Sequence, residues 1–125
     1  RGDLKDEEAA AGAGLCAPGG YVLGRVVPCV GQLAVAAGND AVWKALNLAV
    51  LMLTRDAAPK VRFAALKALR ECFVMVGEEY LVMLPESLSF LSELLEDSDA
   101  VVEAETRSIL KFAEEISGEE LETYL

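Results

Sequence analysis

Apolar residues recur along this chain at helical spacing, in blocks separated by turn residues. The first block, Tyr21–Ala37, predicts a helix interrupted at Pro28, because proline removes a backbone donor and its ring meets the carbonyl of Gly24. Gly38-Asn39-Asp40 then supplies a stop followed by an N-cap. Ala41–Thr54 is apolar nearly all round, with Lys44 and Asn47 on a narrow polar stripe. That pattern predicts the most buried helix, with neighbours on several sides. Trp43 reads as a core residue, with a partner anchor as the alternative. Pro59 opens the next helix, Lys60–Val76, whose apolar arc centres on Val61, Ala65, Leu69, Cys72 and Val76. Glu78–Leu84 is short and ends at Pro85. A further helix then runs to Glu96 with Leu88, Leu91 and Leu95 inward. Asp97-Ser98-Asp99 forms a turn and N-cap. Ala100–Ile116 is the last long helix, with a narrower apolar arc and many charges, and Gly118 closes it.

Part of this pattern is written twice. Shifting residues 97–120 back by 41 positions lays Asp97 on Asp56, Val102 on Val61, Leu110 on Leu69 and Gly118-Glu119-Glu120 on Gly77-Glu78-Glu79. A two-helix unit repeating every ~40–47 residues is the signature of HEAT and armadillo solenoids. The expected fold is therefore all-α, an α-α superhelix of about two and a half to three helix pairs. Residues 21–125 make the repeat module. Residues 1–20, acidic at first and then rich in Gly and Ala, read as a flexible linker. An opening Arg suggests a C-terminal piece of a longer chain.

Composition narrows the function. The chain has 125 residues, is 54% apolar and carries a formal charge of −10. Residues 1–58 hold five basic and six acidic side chains, residues 59–76 four and one, and residues 77–125 two and fourteen. An acidic last part is a poor match to phosphate and suits basic protein partners better. No histidine is present, which removes the commonest general base and metal ligand. No phosphate-cradling glycine motif occurs, and the adjacent acidic pairs point apart on a helix. The expectation is a non-enzyme without cofactor, metal or small-molecule substrate. Cys16, Cys29 and Cys72 lack metal-like spacing and read mainly as buried thiols. No uncharged run is long enough to cross a membrane.

Two constellations stand out. Arg62 falls inside an apolar arc and needs a partner. The repeat register predicts a structural ladder in which Arg62 reaches Asp97 or Glu103 of the following repeat, or Asp56 in its own turn. Lys60, Phe63, Lys67, Arg70 and Val74 share the opposite face, a basic stripe with apolar residues in it. It reads as an interaction face. Alternatively, Phe63 and Val74 cover a neighbouring helix while the long cations reach past them to water.

The runs Val42-Trp43-Lys44-Ala45-Leu46-Asn47 and Thr54–Leu66 carry a likeness, as do Glu79–Ser87, Phe90–Asp97 and the ending Gly118–Leu125. They resemble the C-terminal region of the very large HEAT-repeat protein of the small-subunit processome, the U three protein ten family. The likeness is specific from about residue 42 onward, fainter over 21–38 and absent from 1–20. It implies a nucleolar scaffold in small-subunit ribosome biogenesis, supporting pre-rRNA processing and rDNA transcription. The implied partners are β-propeller and other subunits of an early processome subcomplex, with small nucleolar RNP and pre-rRNA reached indirectly. No family catalytic residue is implied. The alternative is a HEAT adaptor for transport, trafficking or phosphatase assembly.

Overall fold

The computed structural model describes residues 20–121, so the linker predicted over residues 1–20, with Cys16 in it, lies almost wholly outside them. A π-helical turn, Val22–Val26, leads into α1 (Val27–Ala37). It is followed by α2 (Asp40–Leu53), α3 (Pro59–Val76), a 3-10 turn (Gly77–Met83), α4 (Leu84–Leu94) and α5 (Ala100–Ser117). No strand occurs among the described residues. α3 is central and packs on α1, α2 and α5, and α4 packs on α5 and, more lightly, on α2. The helices thus form two layers, α1-α3-α5 and α2-α4. α3 and α5 each span 18 residues and start 41 apart. The repeated segments lie side by side as equivalent layers, the arrangement of an α-α solenoid. Two pairs, α2-α3 and α4-α5, are complete, and α1 stands alone.

Local chemistry sets the boundaries. Asn39 caps α2 by accepting from the Val42 N–H at 3.0 Å, and Asp99 caps α5 by accepting from Val101 and Val102. Ala58 offers no side-chain cap to α3. Pro59 begins that helix instead, and Asp56 Oδ2 accepts the Ala58 N–H at 2.9 Å. Asp97 accepts the Asp99 N–H in the same way, 41 residues later. Gly38, Gly77 and Gly118 follow α1, α3 and α5 with φ of 56°, 82° and 75°, a backbone that costs other residues energy.

Four expectations need correction. Pro28 does not break its helix. The turn before it widens to π geometry, with the Val27 N–H donating to the Val22 carbonyl, so the chain stays helical through a residue that cannot donate. α2 is not the most buried helix, because Val42, Leu48, Met52 and Leu53 are all exposed. The largest number of buried residues, seven, belongs to α3, which packs on α1, α2 and α5. Glu78–Leu84 is not a separate α-helix but a 3-10 turn that runs into α4. Cys29 is exposed rather than buried.

The core runs between the layers, from Trp43, Leu51 and Leu66 through Leu69, Phe73 and Tyr80 to Leu91, Val102 and Ile109. Trp43 is a core residue, 4% exposed, and its indole N–H donates to the Ala34 carbonyl at 2.7 Å. Tyr80 meets Trp43 and Phe73 edge-on, at ring distances of 5.8 and 5.0 Å.

Candidate interaction surface

Arg62 lies on α3 where the helix meets the turn before α5. Its Nε is 2.9 Å from Asp97 Oδ2, and its Nη2 donates to Asp97 Oδ1 at 3.0 Å. The two side chains are 13% and 9% exposed, so water screens the pair little. Nη1 turns back and donates to the carbonyls of Asp56 and Ala57. One guanidinium thereby ties the turn before α3 to the turn before α5. Burial works against the charge on Asp97. The Asp99 backbone N–H and the Arg62 guanidinium outweigh it, holding the carboxyl below its usual range. Asp56 contributes its backbone carbonyl to Arg62, while its carboxylate serves its own turn. Glu103 takes no part. It pairs with Arg107 one helical turn along α5, at 3.1 Å.

The basic stripe is not a free basic patch. Lys67 Nζ stands 3.2 Å from Glu105 Oε2, and Arg70 Nη1 3.9 Å from Glu105 Oε1. Glu105 is a buried acid on α5. Phe63 is partly covered, with the Lys67 ammonium 5.3 Å from its ring centre. The cations reach over the seam to the next repeat, and Lys60 and Val74 remain exposed. Beside Val74 is a groove of about 420 Å³, lined by Leu23, Val27 and Pro28 from the first helical segment and by Lys67, Arg70, Glu71 and Val74 from α3.

The ion pairs joining the two repeats share one polarity. Arg55 in the turn after α2 pairs with Glu93 on α4 at 2.9 Å, its guanidinium over the Phe90 ring. Arg62 pairs with Asp97, and Lys67 and Arg70 pair with Glu105. Every one of these cations belongs to the first repeat and every anion to the second. This explains where most of the positive charge of residues 59–76 goes: Arg62 meets Asp97 in the turn before α5, and Lys67 and Arg70 meet Glu105 on α5.

A second polar set escaped the sequence reading. Asn47, placed there on a polar stripe, is fully buried. Its Nδ2 donates to Ser87 Oγ at 3.1 Å and to Glu86 Oε1 at 3.3 Å, and its Oδ1 accepts from the Tyr80 hydroxyl at 3.1 Å. Ser87 in turn donates to the Met83 carbonyl. Burial pushes the Tyr80 hydroxyl well above the ordinary tyrosine range and the Cys72 thiol up to about 11. Cys72, buried and with its thiol raised, favours the protonated form at neutral pH. The one available signal was position: Asn47 falls beside Trp43 and Val50 on the wheel, both buried.

Among the described residues no group of three or more metal-ligating side chains converges, and no helix is long and apolar enough to cross a membrane. No family profile matches the chain. Individual proteins do. HEAT repeat-containing protein 1 of Macaca fascicularis is 43% identical over 100 residues, 80% of this chain and 10% of that protein. The protein of the same name in Danio rerio is 44% identical over 99 residues, 79% of this chain and 5% of that protein. U3 small nucleolar RNA-associated protein 10 of Aspergillus terreus is 39% identical over 115 residues, 83% of this chain and 6% of that protein. The chain belongs to this HEAT-repeat family. It spans a tenth or less of the length of these HEAT-repeat relatives. The family name and the packing agree: helix pairs repeat, stack on equivalent faces and use their buried charges to join one HEAT unit to the next.

Proposed function

We propose that this chain is a non-catalytic scaffold module of a nucleolar small-subunit processome protein, contributing to ribosome biogenesis through protein–protein contacts. What carries the reading is the likeness to proteins named for association with U3 small nucleolar RNA. The fold is consistent with it, since the buried polar groups of the described residues serve the stack itself. Its partners are then the β-propeller and other subunits of the early processome, with small nucleolar RNP and pre-rRNA reached indirectly. Its place in the parent protein is the closing, C-terminal end. Arg107 and Glu114 on α5 stand 41 positions after Leu66 and Phe73, which are fully buried on α3. Charge at those positions gives α5 a hydrated outer face, as a terminal repeat needs. The exposed Lys60 and Val74, with the groove that Val74 lines, form the candidate partner contact.

Affinity purification of the tagged full-length protein from nuclei tests the reading. U3 small nucleolar RNA, pre-rRNA of the small subunit and β-propeller proteins are the expected yield. Recovery of transport, coat or phosphatase components in their place would favour the HEAT adaptor alternative.

A further inference from the structure

α3 and α5 end at one edge of the stack, at Gly77 and Gly118, and that edge carries a second groove. The 3-10 turn and the start of α4 supply one wall, with Leu81, Leu84, Pro85 and Leu88. The end of α5 and the chain just after it supply the other, with Ser117, Glu119 and Leu121. The space between them is about 490 Å³. Leu121 is held in place: it is 2% exposed, and its N–H donates to Glu114 Oε1 at 3.0 Å. Leu84 is buried as well, while Leu81 and Leu88 are half-buried and keep apolar surface open to the groove.

Aliphatic walls alone would fit many occupants, and charge narrows them. Elsewhere in the second repeat the acids meet cations of the first, as Glu93, Asp97 and Glu105 do. The acids at this edge have no such match. Glu78 and Glu79 start the turn that carries Leu81, Glu115 lies two residues before Ser117, and Glu119 lines the groove itself. All four are exposed, and no cation pairs with their carboxylates among the described residues. Only two basic residues follow Gly77 in the sequence, Arg107 and Lys111, and Glu103 holds Arg107. The last carbonyls of α3 and α5 add partial negative charge to the same edge. Phosphate-bearing nucleic acid is repelled from such a place.

We infer that this groove docks a segment of a partner protein in which aliphatic side chains stand between lysines or arginines. The aliphatic groups fill the space between Leu88 and Leu121, and the cations meet Glu78, Glu79 and Glu119 on the rim. This docking depends on the groove and its charge and not on the ribosome-assembly reading, so either can fail alone.

The probe is a short synthetic peptide with leucines on one face and lysines on the other. It is titrated by fluorescence anisotropy at low salt into the 125-residue chain and into the purified full-length protein. Both should bind it with similar affinity. The same peptide with serine for leucine should bind about tenfold more weakly or worse, because charge without apolar anchors leaves the groove unfilled. Glu78→Gln, Glu79→Gln and Glu119→Gln together should weaken the leucine-lysine peptide by about tenfold, and Glu96→Gln, exposed beyond the far end of α4, should leave it unchanged. Amide NMR shifts on binding should centre on Leu81, Leu88 and Leu121. Equal binding of the serine peptide, indifference to the triple change, or shifts centred on the groove between α1 and α3 would overturn the proposal. So would loss of binding in the full-length protein alone, which means that the parent chain itself covers the groove.

Discussion

Asn47 shows how much one buried amide can decide. It meets Tyr80, Ser87 and Glu86, and so ties α2, the 3-10 turn and α4 at a single point. Replacing it by leucine leaves the Tyr80 hydroxyl and Ser87 short of a partner in a dry site, at a cost of about 2–3 kcal/mol. Chemical denaturation should show that loss as a lower midpoint at unchanged slope. Tyr80 also predicts a pH effect. Its raised pKa means the folded state holds the phenolic proton after an unfolded tyrosine has released it. Its stabilising effect is thus complete below about pH 10 and is lost as pH rises beyond it. Tyr80→Phe should flatten the alkaline part of the stability curve. Asp97 works in the other direction, because its pKa is lowered in the folded state. The stability gap between the parent chain and Asp97→Asn should be full at pH 7 and close as pH falls below about 4, monitored by thermal melts across pH. The need of Arg62 for an acid was legible in the sequence, since a charge inside an apolar arc demands a partner. The burial of Asn47 was not, because a helical wheel shows which residues share a face and not which face another helix covers.

At the scale of elements, the helices were legible and their surroundings less so. Periodicity, proline and glycine placed α3 and α5 within a residue of their observed limits. The same signals misjudged α2, because apolar residues on all sides mark a helix meant to be covered, whether or not the cover lies within this chain. A kink or break was expected at Pro28 because the i→i−4 pattern cannot hold a proline; the chain stays helical, and a π turn accommodates the residue. The close approach of two helices is likewise invisible to periodicity. A Cβ on Gly31 would lie 2.5 Å from Glu71 Cγ and 3.0 Å from Met75 Cγ, so α1 approaches α3 where only hydrogen fits. Gly31→Val forces the helices apart and should cost about 1–3 kcal/mol. Hydrogen exchange should show faster exchange in α1 than in α4, which does not touch that contact. Equal protection of α1 in both proteins would refute the close packing.

At the scale of the whole molecule, the 41-residue register determines what lies beside what. It aligns the two pairs, brings the cations of one against the acids of the next, and leaves one end apolar and the other charged. The charge counts along the sequence set a basic stretch, residues 59–76, against an acidic last part suited to basic partners. The fold turns Arg62, Lys67 and Arg70 toward Asp97 and Glu105 of the next repeat, which no count of charges can foresee, because the sum is the same whether an ion pair is internal or shared with a partner. The central claim is that the matched segments are neighbouring layers joined across one seam, with Arg62 and Asp97 as its least exposed ion pair. A charge-swap cycle on that pair tests it most directly: Arg62→Asp, Asp97→Arg and the double exchange, each followed by denaturant unfolding. Each single change should cost about 2–4 kcal/mol, since it places two like charges in a site that water screens poorly. The double exchange should recover about 1 kcal/mol or more relative to the sum of the singles. Strict additivity of the two single changes would contradict the stacked-repeat account.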